Sequence, residues 1–240
     1  MFIPAGGWFK YELEGALRLL SRIDFEVART PGHCLRFAAL GLAVVSECGH
    51  FEFWGQVPAR ALWLAFQLHD VGKMAIPWAF LSKRRRLTSA EREMVERHTE
   101  FGENILEFFR EWHRAGRLKS PLGRFETTIG LRLAREIALY HHENWDGSGY
   151  PRGLRGRSIP FLARVARVVD AADALLFPRG YRGADWHPKK ALEFLRQGEG
   201  KIFDPEVTRA ALRLITPVAE AACPECPNPT CPLLQASLLQ

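Results

Sequence analysis

A chain of 240 residues that is 47% hydrophobic and 25% charged has ordinary globular composition and enough length for one sizeable core. Its formal charge of +6 suits a phosphate-bearing ligand, nucleic acid or an acidic surface equally, so charge selects none of them. The uncharged, predominantly apolar runs 37–46 and 61–69 are about half a membrane span. Residues 1–7 lack the basic-then-apolar order of a secretory signal, and five unevenly spread cysteines do not make a disulfide framework. A reducing cytoplasm is the expected home.

Alternating apolar and polar runs are nearly absent, whereas three- and four-residue apolar spacing recurs, so an all-α fold is expected. Residues 11–27 predict a first helix, broken at Thr30-Pro31-Gly32. His33 opens a second, to about Cys48, closed by Gly49. Pro58 suits the first turn of a third over 59–68, apolar nearly all round and therefore buried, which ends at His69-Asp70 before Gly72-Lys73. Thr88 and Glu91 fit a capping box. It opens one helix on which Met94, Val95, His98, Phe101, Gly102 and Ile105 share a stripe, turning His98 inward. Residues 111–124, with Gly116, Pro121 and Gly123, read as a loop or short insertion. A helix from about Thr127 carries Ile129, Leu133, Ile137 and Tyr140 toward His141. Ser158 is expected to cap, and Pro160 to begin, a helix rich in Ala, Val and Leu that Asp170 and Asp173 interrupt. Pro188 and Gly198 bracket another, and Asp204-Pro205 caps the last long one, to about Ile215. The expected organisation is a lead-in helix over 1–21, one helical domain over 22–216 and a Pro- and Cys-rich tail over 217–240.

Seven side chains stand out against this apolar background: His33, His69, Asp70, His98, His141, His142 and Asp170. Neutral imidazoles are strong ligands for divalent transition metals. Any one of the seven alone reads as a hydrogen-bonded core residue. Burying five of eight histidines and two aspartates together is costly without a cation to share. Beside the paired histidines, Gly147 and Gly149 let the backbone come close to a ligand.

His69-Asp70 followed by Gly72-Lys73 resembles the HD motif of metal-dependent phosphohydrolases. His141-His142-Glu143 with Asp146-Gly147-Ser148-Gly149-Tyr150-Pro151 resembles the signature of the HD-GYP subgroup, and the similarity runs from about Arg22 to Val207. Supporting pieces lie at 30–36, Ile76-Pro77, Lys83, Leu87-Thr88, Ile159-Pro160, 170–174, 179–182 and 200–205. The resemblance implies an HD-domain helical bundle with additional C-terminal helices of the HD-GYP type. It also implies a cytoplasmic bacterial phosphodiesterase that opens cyclic di-GMP, or a related cyclic dinucleotide, to a linear dinucleotide and onward to GMP. The implied mechanism is attack by a metal-bridging hydroxide in a cluster of two or three iron or manganese ions.

Carried over position by position, Asp70 would bridge two metals, with His33, His69 and Asp170 completing one and His98, His141 and His142 the other. Lys73 would meet the phosphate or assist the leaving oxygen. Gly149, Tyr150, Pro151, Arg179 and Arg182 would bind the guanine or phosphate groups. Three departures bear on this. Arg29 stands where three-metal members carry an acidic residue, which favours two metals; the spacing from His98 to His141 is long, consistent with an insertion over 111–124 that either covers the cleft or is inert surface, the latter favoured; and Gly180 replaces a proline between Arg179 and Tyr181.

Two other readings stay open: a metal-bound cyclic-dinucleotide receptor or scaffold without turnover, and an HD phosphohydrolase acting on another nucleotide. Regulation would come from a protein partner or a homodimer. Lys83-Arg84-Arg85-Arg86 lacks an aromatic platform and reads as a solvated loop rather than a nucleic-acid site. Cys223, Cys226 and Cys231 have the spacing of part of a zinc or iron–sulfur site without a local fourth ligand, and a tail of reactive thiols is favoured. His50, His113 and His187 are expected at the surface, and Phe53, Trp54, Trp63, Trp78 and Trp112 in a core. Asp173 either orients a ligand or caps a neighbouring helix.

Overall fold

Apolar residues spaced three and four apart build a helical bundle, as expected. The computed structural model describes residues 13–27, 32–49, 56–83, 85–177 and 188–221. In chain order the helices are α1 (Leu13–Arg22), α2 (His33–Glu47), α3 (Ala59–Gln67), α4 (Trp78–Leu81), α5 (Ser89–Glu96), α6 (His98–Arg114), α7 (Arg124–Tyr140), α8 (Phe161–Leu176), α9 (Pro188–Gly198) and α10 (Pro205–Ala221). Among the described residues there is no strand, only an isolated bridge between Glu199 and Phe203. α7 packs along α3 and α6, α2 lies against α3 and α8, and α9 and α10 close over α8. Phe37, Phe66, Leu106, Leu131, Ile137, Val165 and Val169 fill the shared core.

Small residues set the closest approaches. At Gly130 a Cβ would stand 3.0 Å from Leu64 and 3.1 Å from the Ala61 carbonyl, so α3 and α7 touch backbone to backbone there. Gly72 is tighter. A Cβ there would overlap the His98 carbonyl oxygen and lie 2.5 Å from the Gly102 nitrogen. The turn after Asp70 (Val71–Ala75, a 3₁₀ segment) therefore rests directly on the first turn of α6. That explains the glycine between Asp70 and Lys73 on steric grounds alone.

Several expectations need correction. The stripe from Met94 to Ile105 is carried by two helices, because Arg97 (φ −63°, ψ −9°) closes α5 and opens α6; His98 still points inward, 2% exposed. The segment 111–124 is helical at its start, since α6 runs to Arg114, and α7 begins at Arg124 with the Glu126 carboxylate accepting the Gly123 N–H. α6 and α7 are antiparallel, and α6 is about 25 Å long at 1.5 Å per residue. The linker 115–123 thus lies at the end of this pair away from His98 and His141, which agrees with an inert insertion. His113 is buried rather than exposed, its Nε2–H donating to the Arg124 carbonyl at 3.0 Å.

Ser158 does not cap α8. It closes a 3₁₀ turn, and Pro160 takes the cap position. The Asp204 side chain does cap α10, accepting the Glu206 N–H at 2.8 Å, but that helix continues through Pro217 to Ala221, with Ala219 buried beyond the proline. Trp63 packs on the core, whereas Trp78 is 36% exposed; Phe53 and Trp54 lie outside the described residues.

Gly72→Ala should cost about 3 kcal/mol or more, because backbone meets backbone and no side chain can yield. Gly116→Ala, at φ +69° in open space, should cost about 1 kcal/mol. Urea unfolding of both variants checks the order, and equal losses would contradict the close approach.

Candidate metal centre

Four helix ends and one helix middle converge on a single point. His33 is the first residue of α2, His69 and Asp70 follow the end of α3, and His98 is the first residue of α6. His141 and His142 follow the end of α7, while Asp170 projects from the middle of α8. All seven residues singled out in the sequence are brought together. Their ligand atoms form two sets, His33/His69/Asp170 and His98/His141/His142, each with its atoms within 4.8 Å of one another.

The outward ring nitrogens fix which way each imidazole presents its lone pair. Nδ1 of His69 donates to the Phe66 carbonyl at 2.9 Å, and that of His98 to the Val95 carbonyl at 2.7 Å. His141 Nδ1 shares its proton between the carbonyls of Ile137 (3.0 Å) and Ala138 (3.1 Å). A carbonyl can only accept, so Nδ1 holds the hydrogen in all three and Nε2 is left as a lone pair facing inward. His33 Nδ1 is held by the Asp173 carboxylate at 2.7 Å, and Asp173 also accepts from Arg36 at 2.7 and 3.1 Å. Asp173 therefore orients a ring instead of capping a helix. Nε2 of His33 lies 3.2 Å from Nε2 of His69, and Nε2 of His98 lies 3.3 Å from Nε2 of His141. Two lone pairs at that distance repel unless a proton or a cation lies between them.

Asp70 sits between the sets. Its Oδ2 is 3.2 Å from His69 Nε2 and 4.0 Å from His33 Nε2, while its Oδ1 is 3.3 Å from His98 Nε2 and 3.7 Å from His141 Nε2. Oδ1 is fully enclosed yet has no hydrogen-bond partner. A buried carboxylate oxygen left without a donor, in a ring of inward lone pairs, fits a cation on chemical grounds. Lys73 pairs with Oδ2 from one turn on.

Burial lowers the pKa values of His69 and His142, and takes that of His98 down to about 3. His33 moves the other way: burial lowers it, but Asp173 and the other nearby carboxylates outweigh that. For Asp70 burial pushes upward and is outweighed by Lys73 and the imidazoles, leaving the carboxyl well below its ordinary range. Asp170 is likewise held down, by His33 first, against the upward push of burial. His69, His98 and His142 are thus held neutral and Asp70 and Asp170 ionised, the forms in which such side chains bind metal. Phe37 stacks flat on His69 with ring centroids 3.8 Å apart, and Tyr150 on His142 at 4.8 Å.

The turn after the paired histidines is held by contacts that the sequence did not foresee. The buried Glu143 carboxylate accepts the N–H groups of Arg152 (2.7 Å) and Leu154 (3.1 Å). A Cβ on Gly149 would stand 2.5 Å from the His142 carbonyl oxygen, so this glycine is required by the fold of the turn itself. Trp145 and Asp146 donate their N–H groups to the carbonyls of Ile202 and Lys201, docking the turn on the segment between α9 and α10. Arg29, Arg179, Gly180, Arg182, His50, His187 and the three tail cysteines lie outside the described residues. Lys83 and Arg85 both pair with Glu91, which suits a solvated loop.

With this geometry established, the HD-domain family matches residues 25–207. The chain belongs to the HD-domain family. It is 36% identical over 209 residues to a cyclic di-GMP phosphodiesterase of Thermotoga maritima, covering 86% of this chain and 50% of that protein. It is 35% identical over 202 residues to the cyclic di-GMP phosphodiesterase response regulator RpfG of Xanthomonas campestris, covering 84% of this chain and 48% of that protein. A crystal structure of a cyclic GMP-AMP specific phosphodiesterase from Vibrio cholerae matches with a TM-score of 0.50 at 17% identity. It covers 84% of this chain and 48% of that one, and shows likeness of fold. This HD domain spans about half the length of the curated relatives it matches. No helix among the described residues is long and apolar enough to cross a membrane.

The buried imidazoles set a pH dependence for the metal-free chain. Above about 6.5 His98 is neutral folded and unfolded and changes nothing. Between 6.5 and about 3 the unfolded chain takes up a proton that the folded one refuses, so stability falls as pH drops. His69 and His142 add to that fall. His33, with its raised value, opposes it; its stabilisation is complete below 6.5 and is lost as pH rises through its folded value. Chelated protein at pH 4.5 should be less stable than at pH 7 by about 2–3 kcal/mol from His98 alone. Calorimetric scans should show a flatter slope in His98→Leu, and an unchanged slope would count against this assignment.

Proposed function

We propose that this HD domain hydrolyses the phosphodiester bonds of a cyclic dinucleotide, cyclic di-GMP foremost, giving a linear dinucleotide and, after a second cut, GMP. The observation that carries this reading is Asp70, with one carboxylate oxygen turned to each set of imidazoles and Oδ1 enclosed without a hydrogen-bond partner. The names of the curated relatives supply the substrate class.

In this reading His33, His69 and Asp170 hold one divalent cation, His98, His141 and His142 hold another, and Asp70 holds both. Bound there, two such cations, iron or manganese, would supply Lewis acidity for hydrolysis of a phosphodiester. The rest falls to the chain's own side chains. Asp173, backed by Arg36, keeps His33 Nε2 turned inward. Lys73, paired with Asp70, brings an ammonium to the reacting phosphate and can give a proton to the leaving oxygen. Tyr150, stacked on His142, forms a wall for a nucleobase, and Arg179 and Arg182 add charge for phosphate. Arg29 in place of an acidic residue leaves two cations rather than three. The free thiols of Cys34 and Cys48 agree with a reducing cytoplasm. Regulation would come from a protein partner or a second copy.

Protein purified without oxygen should carry about two transition-metal ions per chain by elemental analysis. Three tightly held ions would refute the two-cation site. His69→Ala, Asp70→Ala and His142→Ala should each lower turnover of cyclic di-GMP by more than about 100-fold, beyond what loss of an outer hydrogen bond costs. Full activity in any of them, or a metal-loaded wild type that leaves cyclic di-GMP intact, would sink the reading.

A further inference from the structure

Buried guanidinium groups on this face of the bundle are normally committed to a carboxylate. Arg36 is held by Asp173, and Arg164 by Asp204 together with the Ile159 carbonyl. Arg167 is different. It lies on α8 three residues before Asp170, so both side chains leave the same face of that helix. Its Nε donates to Asn144 Oδ1 at 3.0 Å, and its guanidinium carbon stands 5.4 Å from the Phe203 ring centre. Most of the side chain is withdrawn from water; burial lowers its pKa, and nearby Asp170 and Tyr150 oppose that. Its charge also reaches His142.

Neither Nη of Arg167 has a hydrogen-bond acceptor or an ion-pair partner among the described residues. Neither is sealed in, because Asp70 Oδ1 is the one fully enclosed side-chain atom without a partner among those residues. A desolvated cation with a free fork of four N–H bonds, opening beside Tyr150 and Asp170, is a costly arrangement unless an anion arrives to complete it. A planar fork of this kind fits two phosphate oxygens at once.

We propose that Arg167 binds a phosphate of the substrate, and specifically the phosphate that is not being cut. This rests on the cyclic-dinucleotide reading, in which the reacting phosphate sits by Asp70 and Lys73. Arg167 stands about one helical turn from Asp170 along α8 and near Tyr150, so a ligand with two phosphates in one ring can meet the imidazole cluster with one and this guanidinium with the other. Through Asn144 the same side chain is fastened to the turn that carries Tyr150, so the anion and the aromatic wall are held in one piece.

The test uses the full chain with Arg167→Gln, Arg167→Lys and Asn144→Ala. Binding of cyclic di-GMP to chelated protein is measured by calorimetry, and turnover is compared on cyclic di-GMP and on bis(p-nitrophenyl) phosphate, which has a single phosphate. Arg167→Gln should raise Kd and KM for cyclic di-GMP about 10- to 100-fold, as for a lost charge-assisted bond, with the change in KM exceeding that in kcat. Its loss on cyclic di-GMP should exceed its loss on the single-phosphate substrate by about tenfold or more. Arg167→Lys, which keeps the charge without the fork, should fall between wild type and Arg167→Gln, and serves alone should the glutamine variant not fold. Equal losses on both substrates, or an Asn144→Ala variant as impaired as Arg167→Gln, would overturn the assignment in favour of a role in holding the turn. Wild type and Arg167→Gln binding cyclic di-GMP equally would remove Arg167 alone. A wild type that cuts bis(p-nitrophenyl) phosphate yet neither binds nor cuts cyclic di-GMP would remove the substrate reading and this inference with it.

Discussion

A single carboxylate oxygen, Oδ1 of Asp70, placed where no protein donor reaches it, governs the arrangement. Asp70 is 2% exposed, and the rings nearest its two oxygens turn lone pairs rather than hydrogens toward it. In a low-dielectric interior such a cluster has no internal remedy, because adding a proton to one ring leaves the others facing each other. The backbone carbonyls of Phe66, Val95, Ile137 and Ala138 enforce this, since each takes the one proton that its ring could have turned inward. Helix ends thus do two jobs: their last carbonyls accept ring N–H groups alongside backbone ones, and the rings so held are aimed inward.

Around this centre the packing has little freedom. Gly72 seats the Asp70 turn on the start of α6, and Phe37 lies flat against His69. On the other side Glu143 gathers the turn that ends in Tyr150, while Trp145 and Asp146 dock it onto the segment between α9 and α10. Arg164, paired with Asp204 and bonded to the Ile159 carbonyl, secures that segment to α8. The three residues Arg167, Asp170 and Asp173, each three apart on α8, face in turn Asn144 of the Gly-rich turn, the His33 and His69 imidazoles, and the outer nitrogen of the His33 ring.

The seven converging side chains were legible in the sequence because histidines and aspartates inside apolar helical spacing are conspicuous, and because the paired histidines and the Gly-rich turn adjoin one another. What escaped notice depended on partners distant in the chain. His113 looked like a surface residue, yet its hydrogen-bond acceptors are Arg124 and Thr128 on the next helix. Glu143 looked like part of a motif and proves to be a backbone anchor. Arg167 resembled any long charged side chain on a helix, and nothing local announces that its fork is free. Arg97 keeps ordinary helical angles, so no residue preference marks the boundary between α5 and α6. Pro217 would be taken as a stop, but the turn beyond it keeps Ala219 in the core.

The linker 115–123 has one further tie: its Lys119 carbonyl accepts the N–H of Leu13, the first residue of α1. Whatever precedes Leu13 in a longer polypeptide would therefore join this bundle at the pole away from the imidazoles. An upstream module could influence the chemistry by shifting α6 and α7 lengthwise as stiff rods, each with a ring facing Asp70 at one end, or through α1 itself, which packs on the turn after Asp70.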